Sequence, residues 1–200
     1  MQLNKFYSEN FYFFTSHINE QISKNVLKFK NIAIVYNETS VKDLKNFLII
    51  KKFCKYNNLK LYILDNLRIA YQFNLNGIVL SHNNKRVVFY NKITCKKEFK
   101  IIGKVHNQKE YYFKIKQNCK NIILSPIFAN KKYTDYQLLG AVKFNLISNH
   151  WRENTFAMGG INSSNFKRIK ETKALGIGFN SFMISPEIKK PALYFIRGRV

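Results

Sequence analysis

Glycine, proline and acidic residues are all scarce in this chain. Of its 200 residues, 8 are glycine, 3 are proline and 11 are acidic, against 34 lysines and arginines. Lysine, asparagine, isoleucine, phenylalanine and tyrosine are over-used instead, which is typical of an AT-rich coding sequence. No linker, repeat or low-complexity segment interrupts the sequence, so it predicts a single domain over residues 1–200.

The formal net charge of +23 raises the question of a nucleic-acid partner. The lysines, however, are spread along the whole chain and are not concentrated in one arm or helix. We therefore interpret the charge as compositional background and do not expect nucleic-acid binding. The same excess of positive charge is suited to recruiting an anionic small-molecule substrate.

Cysteine is rare as well, because the chain has only Cys54, Cys95 and Cys119 and no CxxC pair. This pattern argues against a disulfide framework and against a cysteine metal cluster. No apolar run approaches the roughly 18 residues that a membrane span requires. Residues 1–10 also lack the apolar core of a secretory signal. We expect a cytoplasmic protein that does not enter a membrane.

The sequence does contain a regular alternation of short apolar runs with amphipathic helical patterns. The runs are rich in Ile, Val, Phe or Tyr, as expected of strands covered on both faces. The predicted strands are 11–15, 31–36, 60–64, 77–80, 100–105, 121–125, 155–158 and 175–179. The predicted helices are 41–56, 67–73, 108–117, 135–148 and 162–172. This order predicts an α/β fold, specifically a (β/α)8 TIM barrel.

Two stretches depart from the alternation. Residues 83–99 show no helical stripe and predict an irregular connection or a short strand pair in place of the fourth helix. Residues 186–200 predict a tail that closes the bottom of the barrel, with a short last helix at 192–196.

The few glycines concentrate in two phrases near the C-terminus. Met158-Gly159-Gly160-Ile161 leads into Asn162-Ser163-Ser164, and a second phrase runs from Gly176 to Ser181. Glycine lets a backbone approach a ligand closely, and Ser or Asn at a helix start leaves N–H groups facing an anion. The phrases therefore predict a phosphate site built from Gly159, Gly160, Gly178, Asn180 and Ser181. Tight packing of strand against helix would need the same glycines and stays an alternative.

Five stretches together carry a family pattern over roughly residues 60–183. They are 61–70 (LYILDNLRIA), 75–82 (LNGIVLSH), 101–110 (IIGKVHNQKE), 121–128 (NIILSPIF) with Leu139-Gly140, and the glycine phrases. In this order and spacing they resemble the TMP-TenI superfamily, which contains thiamine phosphate synthase and the thiazole tautomerase. The position of the tautomerase's catalytic histidine is Pro126 here, as in the synthase, which argues against tautomerase chemistry.

The resemblance implies a transferase that joins hydroxymethylpyrimidine diphosphate to thiazole phosphate in thiamine biosynthesis. Its leaving group is pyrophosphate, whose developing charge calls for Mg²⁺ and fixed cations. The resemblance also implies Asp65 as a metal ligand, and it implies substrate contacts from His106, Ser125 and Asn130. The thiazole phosphate is expected at the glycine phrases.

Several charged positions depart from the family pattern. The Arg-x-Lys after the second strand is absent from Tyr36-Asn37-Glu38, and the second magnesium carboxylate falls at Asn83 or Asn84. Lys104 replaces a serine after the fifth strand, and two lysines lie near the lysine position of the sixth loop. The predicted catalytic cations are Lys104, Lys131 and Lys132.

Two accounts of these departures stay open. In the first, the lysines take over charge neutralisation in a working synthase. In the second, the chain is a non-catalytic binder of a thiamine-pathway phosphate. At single positions, Asp65 can instead be a helix cap and His106 a structural histidine, while His17 and His150 are expected to face solvent. The oligomeric state is open as well, a homo-oligomer included.

Overall fold

Eight parallel strands form a closed barrel in chain order. The computed structural model describes residues 11–38, 44–86, 99–129 and 138–180. The strands are β1 (Phe11–Thr15), β2 (Ile32–Tyr36), β3 (Lys60–Leu64), β4 (Gly77–Leu80), β5 (Lys100–Val105), β6 (Asn121–Leu124), β7 (Asn154–Met158) and β8 (Gly176–Phe179). The TIM-barrel prediction is confirmed, and every predicted strand agrees with the observed one to within a residue at each end.

The ring closes between its first and last strands. Phe11 pairs with Ile177, and Phe13 with Phe179, in a parallel register. Because all eight strands run the same way, their carboxyl ends meet at one rim, where loops can bring distant residues together. Strands β1 and β5 lie on opposite sides of this ring.

The helices cover the outside of the barrel. They are α1 (Glu20–Val26), α2 (Leu44–Tyr56), α3 (Leu67–Gln72), α4 (Gln108–Lys116) and α5 (Gly140–Ser148), followed by a 3₁₀ segment at Phe166–Glu171. Helix α1 was not predicted from the sequence; it is short and buries only Ile22 and Val26. Its start is fixed by Asn19, whose Oδ1 accepts a 2.8 Å hydrogen bond from the backbone N–H of Ile22.

Asparagine takes over a role that glycine usually has. Asn31, Asn58, Asn74 and Asn118 each adopt a positive φ between 52° and 58° in a turn that leads from a helix towards a strand. Left-handed backbone at such helix ends is normally supplied by glycine, and asparagine is the usual second choice. The chain can therefore make its tight turns with few glycines.

The core has an outer and an inner layer. Outward-facing strand residues such as Phe13, Ile34 and Ile63 pack against the helices in the outer layer. Alternate residues point into the barrel and fill it: Tyr12, Phe14, Ala33, Val35, Tyr62, Val79, Ile102, Ile123, Phe156 and Met158. The Tyr12 ring lies edge-on to Phe156 and Tyr62, with centroid distances of 5.0 and 5.9 Å. The interior is thus a packed core of aromatic rings.

One predicted helix is wrong. Instead of an α-helix over residues 162–172, the chain makes a turn followed by the 3₁₀ segment. The helix-start signal is present, because the Asn162 Oδ1 accepts from the backbone N–H of Ser164 at 3.0 Å and of Asn165 at 3.2 Å, much as Asn19 does at the start of α1. The chain nevertheless continues as a turn and a 3₁₀ segment, so this cap by itself does not specify an α-helix.

Other sequence predictions have mixed outcomes. Residues 83–86 form no regular element, as predicted, while 87–98 and the predicted tail at 186–200 lie outside the described residues. His17 and His150 are exposed, as predicted. None of the helices in the described ranges is long and apolar enough to cross a membrane.

Cys54 and Cys119 are buried, reduced thiols. Burial raises the pKa of each to about 12, so neither is a nucleophile near neutral pH. Cys95 lies outside the described residues.

The inner layer generates a stability prediction. Phe156 is 1% exposed and contacts Tyr12. Phe156→Ala should lower the free energy of unfolding by about 3–5 kcal/mol, because it opens a cavity in a core that cannot collapse. The measurement is urea unfolding followed by circular dichroism. Tyr56→Ala, at a residue 89% exposed, is the control and should change little; equal losses in the two variants would contradict a packed interior.

Candidate functional site

Most of the predicted site residues gather at the carboxyl-end rim of the barrel. Asp65 follows β3, His106 follows β5 and Ser125 follows β6. Gly159 and Gly160 follow β7, and Asn180 follows β8. Asn130, Lys131, Lys132 and Ser181 lie outside the described residues and stay predictions.

Lys104 lies across the mouth of the barrel. It is two residues beyond Ile102 on β5 and so shares the inward face of that strand. Its Nζ is 5.0 Å from the ring centroid of Phe14, on the opposite strand β1. The side chain is half-buried, with its stem over the aromatic interior and its charge at the rim. A cation in this position can meet an anionic group that enters the mouth.

His106 is fixed by the residues around it. Its Nδ1 lies 2.7 Å from the carbonyl oxygen of Ser125 and 3.2 Å from the Ser125 hydroxyl. Because a carbonyl oxygen can only accept, Nδ1 carries the proton, and a neutral ring then has its lone pair on Nε2. The backbone N–H of His106 donates to Glu110 at 2.7 Å. These contacts fix the orientation of the His106 ring, and both of its interpretations, structural and substrate-binding, stay open.

Glu110 belongs to a helix cap. Its carboxylate accepts from the His106 backbone and from the Asn107 amide, while its own backbone N–H donates to Asn107 Oδ1 at 3.0 Å. These reciprocal bonds confirm the predicted start of α4. The carboxylate therefore has a structural role in this cap.

His82 packs beside His106. The two ring centroids are 4.5 Å apart at an interplanar angle of 65°. Burial lowers the pKa of His82 below its usual 6.5, and the nearby charge of His106 lowers it further. Lys104 and Lys114 act in the same direction and Glu110 opposes them. The positively charged surroundings thus disfavour the protonated form of His82.

Asp65 forms a closed polar pair with Asn84. Its Oδ1 accepts from Asn84 Nδ2 at 2.8 Å and from the Ser81 backbone N–H at 2.9 Å. The amide orientation is supported from the other side, where Asn84 Oδ1 accepts from the Arg86 backbone N–H at 3.2 Å. Asp65 itself adopts a positive φ of 54°, which turns its side chain into this loop.

These residues do not fit a magnesium ion held by the protein. Mg²⁺ requires oxygen ligands, and a site between Asp65 and Asn84 would meet an NH₂ donor on one side. One oxygen of Asp65 is already committed to two N–H groups. Within the described ranges, no group of three or more His, Cys, Asp or Glu side chains could hold a metal. The prediction of Mg²⁺ is therefore kept only for an ion that arrives with a phosphorylated molecule, whose phosphate oxygens supply most of the coordination.

A cleft opens beside this pair, with a volume of about 660 Å³. Asp65 and Asn84 form part of its wall, and Arg68, Lys85 and Arg86 supply positive charge. Outward-facing Ile78 also lines the cleft, so it lies outside the barrel mouth. The basic lining favours anions.

Gly159 and Gly160 join two neighbouring loops. Ile127 N–H donates to Met158 at 2.9 Å, and Phe128 N–H donates to Gly159 at 3.1 Å. Gly160 has a φ of +68°, and a Cβ there would collide with the carbonyl oxygens of Phe128 and Ala129. Tight packing, the alternative left open by the sequence, is therefore part of the role of these glycines.

The sequence predicts that the N–H groups at the helix start after Gly160 face a phosphate, but some of these groups are already bonded. The N–H groups of Ser164 and Asn165 already donate to Asn162. Within the described residues, the backbone N–H groups of Gly160 and Ile161 have no hydrogen-bond partner. The N–H of Ser163 has none there either, so an anion could meet any of these three amides.

On the last strand, Gly178 is buried and Asn180 is exposed at the rim. A Cβ at Gly178 would lie 3.2 Å from Met158 Sδ and 3.3 Å from Phe14, so this glycine also serves the packing of the interior. The role of Asn180 as a phosphate contact stays a prediction.

Lys114 is a site residue that was not predicted from the sequence. It lies on α4, is fully buried, and donates to the backbone of the loop after β4. The signal was present, because Tyr111, Lys114 and Gln117 recur every three residues along the buried face of the helix. A lysine on that stripe needs buried acceptors.

The sequence matches the family described as thiamine monophosphate synthase over residues 22–181. No protein of curated function matches it closely enough to count as a relative. Among solved structures, the chain is similar to thiamine phosphate pyrophosphorylase from Pyrococcus furiosus, with a TM-score of 0.72, 16% identity, and 90% of each chain covered.

Two further structures share the fold. The thiamine phosphate pyrophosphorylase from Bacteroides thetaiotaomicron has a TM-score of 0.55 at 16% identity, with 86% of this chain and 83% of that chain covered. KDPG aldolase from Legionella pneumophila has a TM-score of 0.63 at 11% identity, with 91% and 87% covered. At these identities the likeness shows the barrel fold alone.

The loop contact at Gly160 can be tested against a matched glycine. Gly140 has a similar φ of +59°, but a Cβ there would meet nothing within 4 Å, whereas Gly160 faces two carbonyl groups. Gly140→Ala should lower the free energy of unfolding by about 1–2 kcal/mol from backbone strain alone. Gly160→Ala should lower it clearly more, because the loop after β6 must move. Thermal unfolding of both variants checks this; equal losses would contradict the close contact.

The histidine pair generates a pH prediction. His82 should titrate below 6.5, and His106→Gln should raise its pKa part of the way back, because burial remains. Since the unfolded chain takes up this proton first, His82 should lower the stability of the fold as the pH falls through 6.5. NMR titration of the ring C–H resonances measures the pKa. A wild-type value at or above 6.5 would contradict the arrangement.

Proposed function

Because the chain belongs to the thiamine monophosphate synthase family, we propose that it is a transferase that joins hydroxymethylpyrimidine diphosphate to thiazole phosphate. In this reaction the bond from the pyrimidine methylene carbon to the diphosphate oxygen breaks, and its electron pair leaves with pyrophosphate. The lone pair of the thiazole nitrogen then forms the new C–N bond to the same carbon. The product is thiamine phosphate.

The position of Lys104 is the observation that carries the proposal. Its ammonium group lies at the mouth of a barrel whose interior is apolar. A fixed cation beside a low-dielectric interior stabilises negative charge that develops on a leaving group. We assign Lys104 to the departing pyrophosphate, with Lys131 and Lys132 of the sixth loop as further predicted cations.

The two substrate halves take different parts of the rim. The thiazole phosphate is assigned to the backbone N–H groups of Gly160 and Ile161, supported by Gly178, Asn180 and Ser181 from the last strand and its loop. His106 and Ser125, which contact each other, and Asn130 are assigned to the pyrimidine side. The aromatic floor of the barrel excludes water from the reacting atoms.

The cellular location, the partners and the metal are proposed from the sequence analysis. We propose cytoplasmic thiamine biosynthesis on phosphorylated small molecules, without a nucleic-acid partner. Mg²⁺ would enter with the diphosphate, which supplies most of its ligands. A homo-oligomer stays a prediction.

The second candidate is a non-catalytic protein that binds a thiamine-pathway phosphate. The Asp65–Asn84 hydrogen bond favours it, because this bond occupies the place where the family pattern has a second magnesium carboxylate. In that case the phosphate-binding half of the rim is retained and the pyrophosphate half is lost.

The synthase proposal predicts a specific effect of Lys104. Incubating the protein with both substrates and Mg²⁺ should yield thiamine phosphate, identified by mass spectrometry. Lys104→Met should reduce the rate by about 10²-fold, as loss of one charge-stabilising group usually does. Lys100→Met, at the other end of the same strand, is the matched control and should retain the rate. Absence of product at high protein concentration would reject the synthase proposal.

The binding-only candidate has its own readout. Thiazole phosphate or thiamine phosphate should raise the melting temperature without turnover, since a ligand at a hundred-fold over Kd stabilises by about 2.7 kcal/mol. A shift without product would select this candidate. No shift with any of the ligands would reject both.

A further inference from the structure

A buried ammonium group lies directly behind the Asp65–Asn84 pair. Lys114 is 0% exposed, although lysine is rarely buried without a partner. Its Nζ donates to the carbonyl oxygens of Ser81 at 2.6 Å and Asn84 at 2.7 Å, and to Gln117 Oε1 at 3.0 Å. Three acceptors match the three N–H groups of a charged ammonium.

A glycine in the barrel wall makes room for this side chain. The Lys114 stem passes over Gly103 of β5, where a Cβ would lie only 2.7 Å from Lys114 Cγ. A flexible surface lysine would not need such a channel. The ammonium is therefore directed from α4 to the loop after β4.

Gln117 reinforces the same loop. It is 1% exposed, and its Nε2 donates to the carbonyl oxygens of Asn84 at 3.0 Å and Arg86 at 2.8 Å. Lys114 and Gln117 together hold residues 81–86 against the barrel. That loop in turn presents the Ser81 N–H and the Asn84 amide to Asp65.

The charge of Lys114 also acts on the rim. Burial lowers the pKa of its ammonium group, while the opposite charges of Asp65 and Glu110 favour the charged form. A positive charge on the loop residues that bind Asp65 opposes a divalent cation there and favours a phosphate.

We propose that Lys114 provides the fixed positive charge at the β3–β4 rim, in place of a divalent cation held there by the protein. It is a positioning residue, because a fully buried group cannot touch a ligand. It acts through the loop that carries Ser81 and Asn84, and through its field. The identity of the phosphorylated ligand rests on the proposed function; the metal preference does not.

The test uses Mn²⁺ alone as the probe, with the full chain and electron paramagnetic resonance to count bound metal. The proteins are wild type, Asn84→Asp, Lys114→Met and the double variant. Wild type should bind Mn²⁺ with a dissociation constant above roughly 1 mM. Asn84→Asp should remain weak, because Lys114 still opposes the metal. The double variant should bind at least about tenfold more tightly than Asn84→Asp, since the opposing charge is gone.

Two results would overturn the proposal. One is tight Mn²⁺ binding by wild type that is lost in Asp65→Asn. The other is an Asn84→Asp variant that binds as tightly as the double variant. Asn149→Asp, at an exposed position directly after helix α5, controls for the change of net charge and should not create a site with or without Lys114.

The proposal remains testable if Lys114→Met fails to fold, which thermal unfolding would reveal. Wild type and Asn84→Asp both keep Lys114, and tight binding by either one would then reject it, whereas weak binding by both supports it. Because no substrate is present, this outcome is separate from the two-substrate assay. A protein without synthase activity can still show the predicted metal preference.

Discussion

Closure of the sheet between β1 and β8 is the constraint on which the site depends. The ring forms only if aromatic side chains such as Tyr12, Tyr62 and Phe156 fill its interior. Closure gathers eight carboxyl ends at one rim, so Asp65, His106 and Gly160 lie around the same mouth although the sequence separates them widely. It also sets Lys104 on β5 across from Phe14 on β1, so that the ammonium group spans the mouth.

The rim divides into two halves with different chemistry. At β6 and β7, backbone hydrogen bonds join the two loops, and the N–H groups of Gly160 and Ile161 have no partner among the described residues. At β3 to β5, the polar groups satisfy one another: Asp65 with Asn84 and Ser81, His106 with Ser125 and Glu110, and Lys114 with the loop carbonyls. The first half keeps the features by which the family pattern predicts phosphate binding. The second half has replaced the expected carboxylate with an amide and added an internal cation.

The strands could be predicted from the sequence because each is a short apolar run covered on both faces, so that burial alone marks it. Helix α1 was missed because it is short and buries only Ile22 and Val26, too few residues to form a periodic pattern. The helix predicted at 162–172 was wrong although its start signal is present: Asn162 bonds to the following amides as at a helix start, but the chain continues as a turn and a 3₁₀ segment. The position of Asp65 at the rim followed from the motif, but its pairing with Asn84 could not, since nothing in the sequence specifies how two loops meet. The burial of Lys114 could not be predicted either, because a lysine is expected to face solvent unless its buried hydrogen-bond acceptors are known.

The channel over Gly103 has an evolutionary consequence. Because a Cβ at position 103 and the Lys114 stem compete for one volume, the two positions cannot mutate independently. A side chain at 103 is tolerated only after residue 114 has become small, and a long residue at 114 is accessible only from a glycine background. Related sequences should therefore show the two sites covarying, with a long residue at 114 found together with glycine at 103.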